Sequence, residues 1–172
     1  MKYFIEHKPA LTLIGVAKNI QPKFAPGAIP AFHSSFYDKY MEPMITRGKP
    51  QTEVEYVITQ GHISEYEFFS FENCTDGTCK YMICGVYLGG PVPEGMELIE
   101  LPEMDWVRIP TPLDFGEALR VKGSDLARYW TKHVDGYTAA LPCALKWNAE
   151  GNPDSQEYEG GIWIPVVQEA DR

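Results

Sequence analysis

Hydrophobic and polar positions are ordered most clearly near the far end of the chain. Ile162 to Val167 are β-branched or aromatic around one proline, which predicts a strand. Strand side chains alternate, so Ile162, Ile164 and Val166 share one face and Glu159, Gly161 and Trp163 the other. The aliphatic face reads as core. The opposite face offers an acid, a bare patch of backbone and an indole, which together suit a flat, positively charged molecule. The competing reading makes Trp163 core and Glu159 a solvated edge. Pro165 has no N–H to give to a ladder, so an edge or a bulge is expected there.

The same patterning divides the rest of the chain. Within residues 3–20 a first strand runs from Leu11 through Ala17 towards Ile20. Gln21 to Pro30 is rich in proline and reads as a loop. A helix is expected from Pro30 or Ala31, because Phe32, Phe36, Tyr40 and Met44 recur every four residues, with Pro43 ending or kinking it. In Glu53 to Ser64, Val54, Tyr56 and Ile58 alternate with Glu55, Val57 and Thr59, which suggests a short strand. Tyr66 to Glu72 and Lys80 to Leu88 form a hairpin about Asp76-Gly77. After a Gly/Pro linker, Gly89 to Gly95, strands are expected at Met96–Leu101 and Trp106–Ile109. A helix opens at Ser124, with Leu126, Tyr129, Trp130, Val134 and Tyr137 as its apolar stripe and Gly136 as its C-cap. Ala144–Asn148 and the Ile162 strand close the chain, with a turn from Ala149 to Asp154 between them.

Each half thus reads strand, helix, strand, strand, a repeat of pattern and not of residues. The predicted class is α+β: duplicated β-α-β-β units, about 1–90 and 91–172, forming one domain over residues 1–172. They would make an antiparallel sheet with two helices on one face and a cleft between the halves.

Composition narrows the function. The 172 residues carry a net charge of −9, which argues against direct nucleic-acid binding and suits cationic or neutral partners. No apolar run has signal-peptide or membrane-spanning length, so a cytoplasmic protein without a membrane partner is expected. The four cysteines, Cys74, Cys79, Cys84 and Cys143, lack metal-ligand spacing. Cys74 and Cys79 flank the hairpin turn and would face each other, as free thiols in a reducing compartment. His7, His33, His62 and His133 are scattered, so no metal or other cofactor is expected. Ser34, Ser35 and Ser64 lack a nucleophile elbow, and neither Gly89-Gly90 nor Gly160-Gly161 fits a phosphate loop.

The run Val92-Pro93-Glu94-Gly95-Met96-Glu97-Leu98-Ile99-Glu100-Leu101-Pro102 followed by Trp106-Val107 resembles the linker and central strand of GyrI-like effector-binding domains. Trp130 to Tyr137, then Asn152-Pro153-Asp154, then Ile162-Trp163-Ile164-Pro165-Val166 continue in that family's order. The resemblance is most specific over residues 85–168. The acidic, stand-alone form is similar to integron-cassette proteins that bind cationic drugs. The resemblance implies a pocket for a hydrophobic, often cationic, small molecule. It also implies a buried pocket glutamate directly before Ile-Trp-Ile-Pro, where this chain has Gly161. Some members with that acid are hydrolases, so its loss counts most against catalysis. Glu159, two residues upstream on the same face, is the expected replacement.

The site residues expected from pattern and resemblance are Trp163, Glu159, Gly161, Trp106, Trp147, Tyr87 and Phe36, with none catalytic. Core packing is the competing role for each aromatic. Arg108 shares the face of Trp106 and opposes a bound cation unless an acid neutralises it. The expected function is drug or effector binding without a DNA-binding domain, with a homodimer left open. The alternatives are a hydrolase of small electrophilic toxins in the same pocket and a gyrase-inhibitor-like interaction module.

Overall fold

The computed structural model describes residues 3–63, 65–75, 78–110, 134–147 and 160–169. The strands are β1 (Phe4–Lys8), β2 (Leu11–Ile20), β3 (Tyr66–Thr75), β4 (Thr78–Val86), β5 (Glu97–Leu101), β6 (Met104–Ile109), β7 (Tyr137–Ala139), β8 (Cys143–Trp147) and β9 (Gly161–Gln168). The helices are α1 (Ala25–Phe36), α2 (Glu42–Arg47) and α3 (Glu53–Gly61). A π turn, Tyr37–Met41, joins α1 to α2, so the two form one long arm. The protein is α+β, and among the described residues all nine strands belong to one antiparallel sheet.

The order is β1-β6-β9-β8-β3-β4-β2-β5, with β7 also on β9. It reads the same from either end when β1, β2, β3 and β4 are exchanged for β5, β6, β8 and β9. Each half lends its first strand to the other: β1 pairs with β6, and β5 pairs with β2. This order dictates curvature. In a flat sheet, β1 and β2 would lie about 29 Å apart at about 4.8 Å per strand. Yet only Pro9 and Ala10 join them, and two linking residues reach roughly 11 Å. Pro102 and Glu103 make the matching link between β5 and β6. The sheet must curl into a half-barrel, with both short links on one side.

Its two faces carry separate cores. Ile14, Phe69, Tyr81, Ile83, Val107, Ile162 and Ile164 pack with Ile29 and Phe36 of α1 and Ile58 of α3. On the other face, Leu13, Phe68, Met82, Leu101, Trp106, Leu145 and Trp163 form the second cluster. The β9 alternation therefore falls as its sequence pattern predicts. Pro165 also sits where a proline is tolerated: β8 pairs with residues 161–163 and β7 with 166–168, leaving Pro165 beside the break between them.

Several elements differ from the sequence pattern. The N-terminal stretch holds two strands, because Pro9-Ala10 breaks it. The Gln21–Pro30 stretch is not a loop: a short 3-10 turn, Pro22–Phe24, leads straight into α1. Its prolines are tolerated because Pro22 and Pro26 stand in first turns, where N–H groups have no helical partner anyway; Pro30 costs one bond inside α1. Pro43 neither ends nor breaks the arm, because the π turn lets the helix restart with Pro43 in the first turn of α2. Residues 53–61 are helical, not a strand. Thr52 caps α3 by accepting from the Glu55 N–H at 3.2 Å, and Val54, Ile58 and Gly61 share its inner side. At Gly61 the carbonyl oxygen lies 2.1 Å from where a Cβ on Gly85 would be, so only glycine lets α3 sit this close to β4. Cys79 is disulfide-bonded, not a free thiol, whereas Cys84 and Cys143 are free and buried. The helix expected from Ser124 lies outside the described residues up to Val134; Gly136 has a positive φ of +79°.

Candidate functional site

Three of the four tryptophans meet on the face that bears no described helix. Trp106 from β6, Trp163 from β9 and Trp147 from β8 line a cavity of about 390 Å³, with Tyr66 of β3 and Leu145. The two short links close it from above through Lys8, Pro9 and Ala10 on one side and Leu101 and Pro102 on the other. Trp163 and Trp106 are only 3% and 2% exposed, so each is wall and core at once. Tyr66 stacks on Trp147 across the central β3–β8 pair, with ring centroids 6.0 Å apart and planes 11° from parallel. Burial pushes the Tyr66 phenol above its ordinary pKa, which keeps it neutral.

A second cavity of about 600 Å³ lies beyond Leu101 and Pro102, which border both. It is lined by Phe68, Ser70 and Cys143, with Glu72, Lys80 and Glu100 bringing charge. Lys80 is ion-paired with Glu97. Burial pushes the Cys143 thiol up to about 12, so it is not a nucleophile here.

The charges around Trp163 are specific. The Arg108 guanidinium lies 5.6 Å from the Trp163 ring and 4.4 Å from Phe4. Its Nε donates to Glu6 at 3.1 Å, so an acid does neutralise it. The Lys8 ammonium sits 4.2 Å from the Trp163 ring centroid.

The sequence-predicted residues separate into groups. Trp163, Trp106 and Trp147 come together. Gly161 lies on their face at the start of β9, with φ +118°. A Cβ there would stand 2.3 Å from the Ile109 carbonyl oxygen and 3.0 Å from Pro110 Cα, so the backbone leaves no room for the glutamate that the resemblance implies at this position. Glu159 lies outside the described residues. Tyr87 and Phe36 go elsewhere: both pack against the helix-side cluster, and Tyr87 donates to the Gly90 carbonyl. Phe36 instead borders a separate cavity of about 350 Å³ with His33 and Tyr37.

The sequence pattern missed a buried polar group on the helix side. Glu67 and Lys146, partners across β3 and β8, are 6% and 7% exposed. The Tyr81 hydroxyl donates to Glu67 at 2.7 Å, and His33 of α1 reaches the Tyr81 oxygen at 2.8 Å and Glu67 at 3.5 Å. Burial alone would raise the Glu67 carboxyl. The hydrogen bonds from His33 and Tyr81 and the nearby His33 and Lys146 charges outweigh it and hold the group below its ordinary value. The signal was present: one acid in Tyr66-Glu67-Phe68-Phe69 and one base in Ala144-Leu145-Lys146-Trp147, each where both strand faces are apolar.

No family model and no curated protein matches the chain. Solved structures do. SAV2435, in a structure with tetraphenylphosphonium bound, is 17% identical with a TM-score of 0.64, over 97% of this chain and 94% of that one. A protein from Staphylococcus aureus described as a bacterial transcription regulator is 16% identical with a TM-score of 0.58, over 96% and 98%. The C-terminal domain of EcmrR is 13% identical with a TM-score of 0.50, over 97% and 98%. At such identities the likeness is one of fold, and the fold is the one that the resemblance to GyrI-like effector-binding domains implies.

Proposed function

We propose that the chain binds hydrophobic small molecules, cationic ones in particular, in the tryptophan cavity. The observation that carries this reading is the convergence of Trp106, Trp147, Trp163 and Tyr66 on one cavity of about 390 Å³ beneath the two short links. Indole and phenol faces attract cations, and a desolvated contact is worth about 2 kcal/mol. With apolar burial, a few such contacts suffice for micromolar affinity, about −8 kcal/mol. The net charge of −9 adds a field that favours cations. The tetraphenylphosphonium in the SAV2435 structure is a cation of the same class, which supports this choice of ligand.

The cavity's described lining holds no carboxylate and the backbone shuts out a side chain at Gly161, so binding is favoured over acid–base hydrolysis. Titration with tetraphenylphosphonium, followed by tryptophan emission, tests the reading. Saturable quenching is expected, weakened about tenfold or more in Trp147→Ala, whose side chain is a half-buried wall of the cavity. A flat titration would reject binding. Equal affinities for neutral and cationic dyes of one size would reject the preference for cations.

A further inference from the structure

Resting on that binding reading, we infer that Lys8 is a resident competitor: its ammonium fills the cation position on Trp163, and a cationic ligand binds by displacing it. Trp163 is 3% exposed, so its face is already covered. Arg108, one cation near it, is fixed by Glu6 and Phe4. The other is Lys8, 4.2 Å from the ring centroid and lining the cavity itself. Among the described residues no ion pair holds Lys8, unlike Lys80, which is tied to Glu97. Its stem is flexible, and its ammonium regains full hydration on leaving, so displacement is cheap.

The fold supplies an internal control. Lys8 ends β1 and pairs with Met104, the first residue of β6; Leu101 ends β5 and pairs with Leu11, the first residue of β2. Each is followed by a proline, and both line the cavity. The topology therefore gives the two positions the same packing task, which Leu101 performs with an uncharged side chain. The charge at Lys8 is additional to that task, and it sits on an indole. A neutral ligand gains nothing in exchange when it evicts an ammonium from Trp163. A cation restores the contact that Lys8 gives up, but both ligands bear the same cost of evicting it, so Lys8 lowers affinity for either and the preference for charge stays with the indole face.

The test pairs a substitution with a chemical readout. Lys8→Met keeps an unbranched apolar stem and removes the charge. It is expected to bind tetraphenylphosphonium roughly three- to thirtyfold more tightly, the span of a cation–π contact from exposed to desolvated. The preference for a cationic over a neutral dye should stay unchanged, because the cost of eviction is common to both. In the unaltered protein, saturating tetraphenylphosphonium should raise the acylation rate of Lys8 by an amine-reactive ester, read by peptide mass spectrometry. Unchanged or weaker binding by Lys8→Met, or protection of Lys8 from acylation by the ligand, would overturn the displacement and leave the binding reading standing. Failure of both proteins to bind would overturn both.

Discussion

Gly161 shows how one residue without a side chain shapes the site. Its φ of +118° and the Ile109 carbonyl 2.3 Å from a would-be Cβ make glycine obligatory. Gly161→Ala is expected to cost about 2–4 kcal/mol, combining backbone strain with a displaced β6–β9 pair, read as a lower urea midpoint at constant slope. A cost near zero would mean that β9 starts differently in solution. Glu67 behaves in the opposite sense, as a charge that the fold retains. Its folded pKa lies below the ordinary 4.5, so its ion is favoured by folding. That contribution is complete above the unfolded value and is lost as pH falls from about 4.5 through the lower folded value. Glu67→Gln should flatten the stability profile in this acid window. At neutral pH it should cost about 1–3 kcal/mol, since Tyr81 and His33 lose their ionised acceptor. An unchanged acid limb would show that the network does not hold in solution.

At the scale of elements, local chemistry decides where the sequence pattern misleads. Val54, Tyr56 and Ile58 alternate like a strand, yet α3 forms, because Thr52 caps it and Glu55 is held by Arg47 and by the Gln51 N–H. The same Val54 and Ile58 are four apart, so one set of residues satisfies both periods and the cap breaks the tie. Thr52→Ala should lower stability by about 1 kcal/mol and reduce helical ellipticity at the thermal midpoint. The strands were readable for a simpler reason. Ile162, Ile164 and Val166 obey a period of two over a whole strand, and β3 and β4 carry aromatic and aliphatic residues at high density. The proline-rich start of α1 was not readable, because a proline in a first turn and a proline in a loop look alike until the helix boundary is known. Of the candidate site, the face of Trp163 was legible by strand parity, and Trp106 and Trp147 join it at the cavity. The Tyr87 and Phe36 positions were not, because parity says nothing of which face a residue beyond a strand end, or on a helix, will meet.

At the scale of the molecule, the exchange of β1 and β5 between halves makes closure a long-range event. Phe4 pairs with Arg108 and Ile5 with Val107, across about a hundred residues, whereas β3 and β4 pair through a short turn. Local pairing can form before the long loop is closed, so β3–β4 should lead and β1–β6 should follow. The tryptophan cavity depends on the late step, because Lys8 and the Pro9-Ala10 link reach it only when β1 docks. Ile5→Val, which removes one methylene from a residue packed against the helix-side core, should cost about 1 kcal/mol. If β1 docks after the rate-limiting barrier, that cost falls on unfolding: about fivefold faster unfolding with an unchanged folding rate in a denaturant chevron. Slower folding in Ile5→Val would place the exchanged strand inside the folding nucleus. The cavity would then be templated early by strand exchange, and not sealed last by β1.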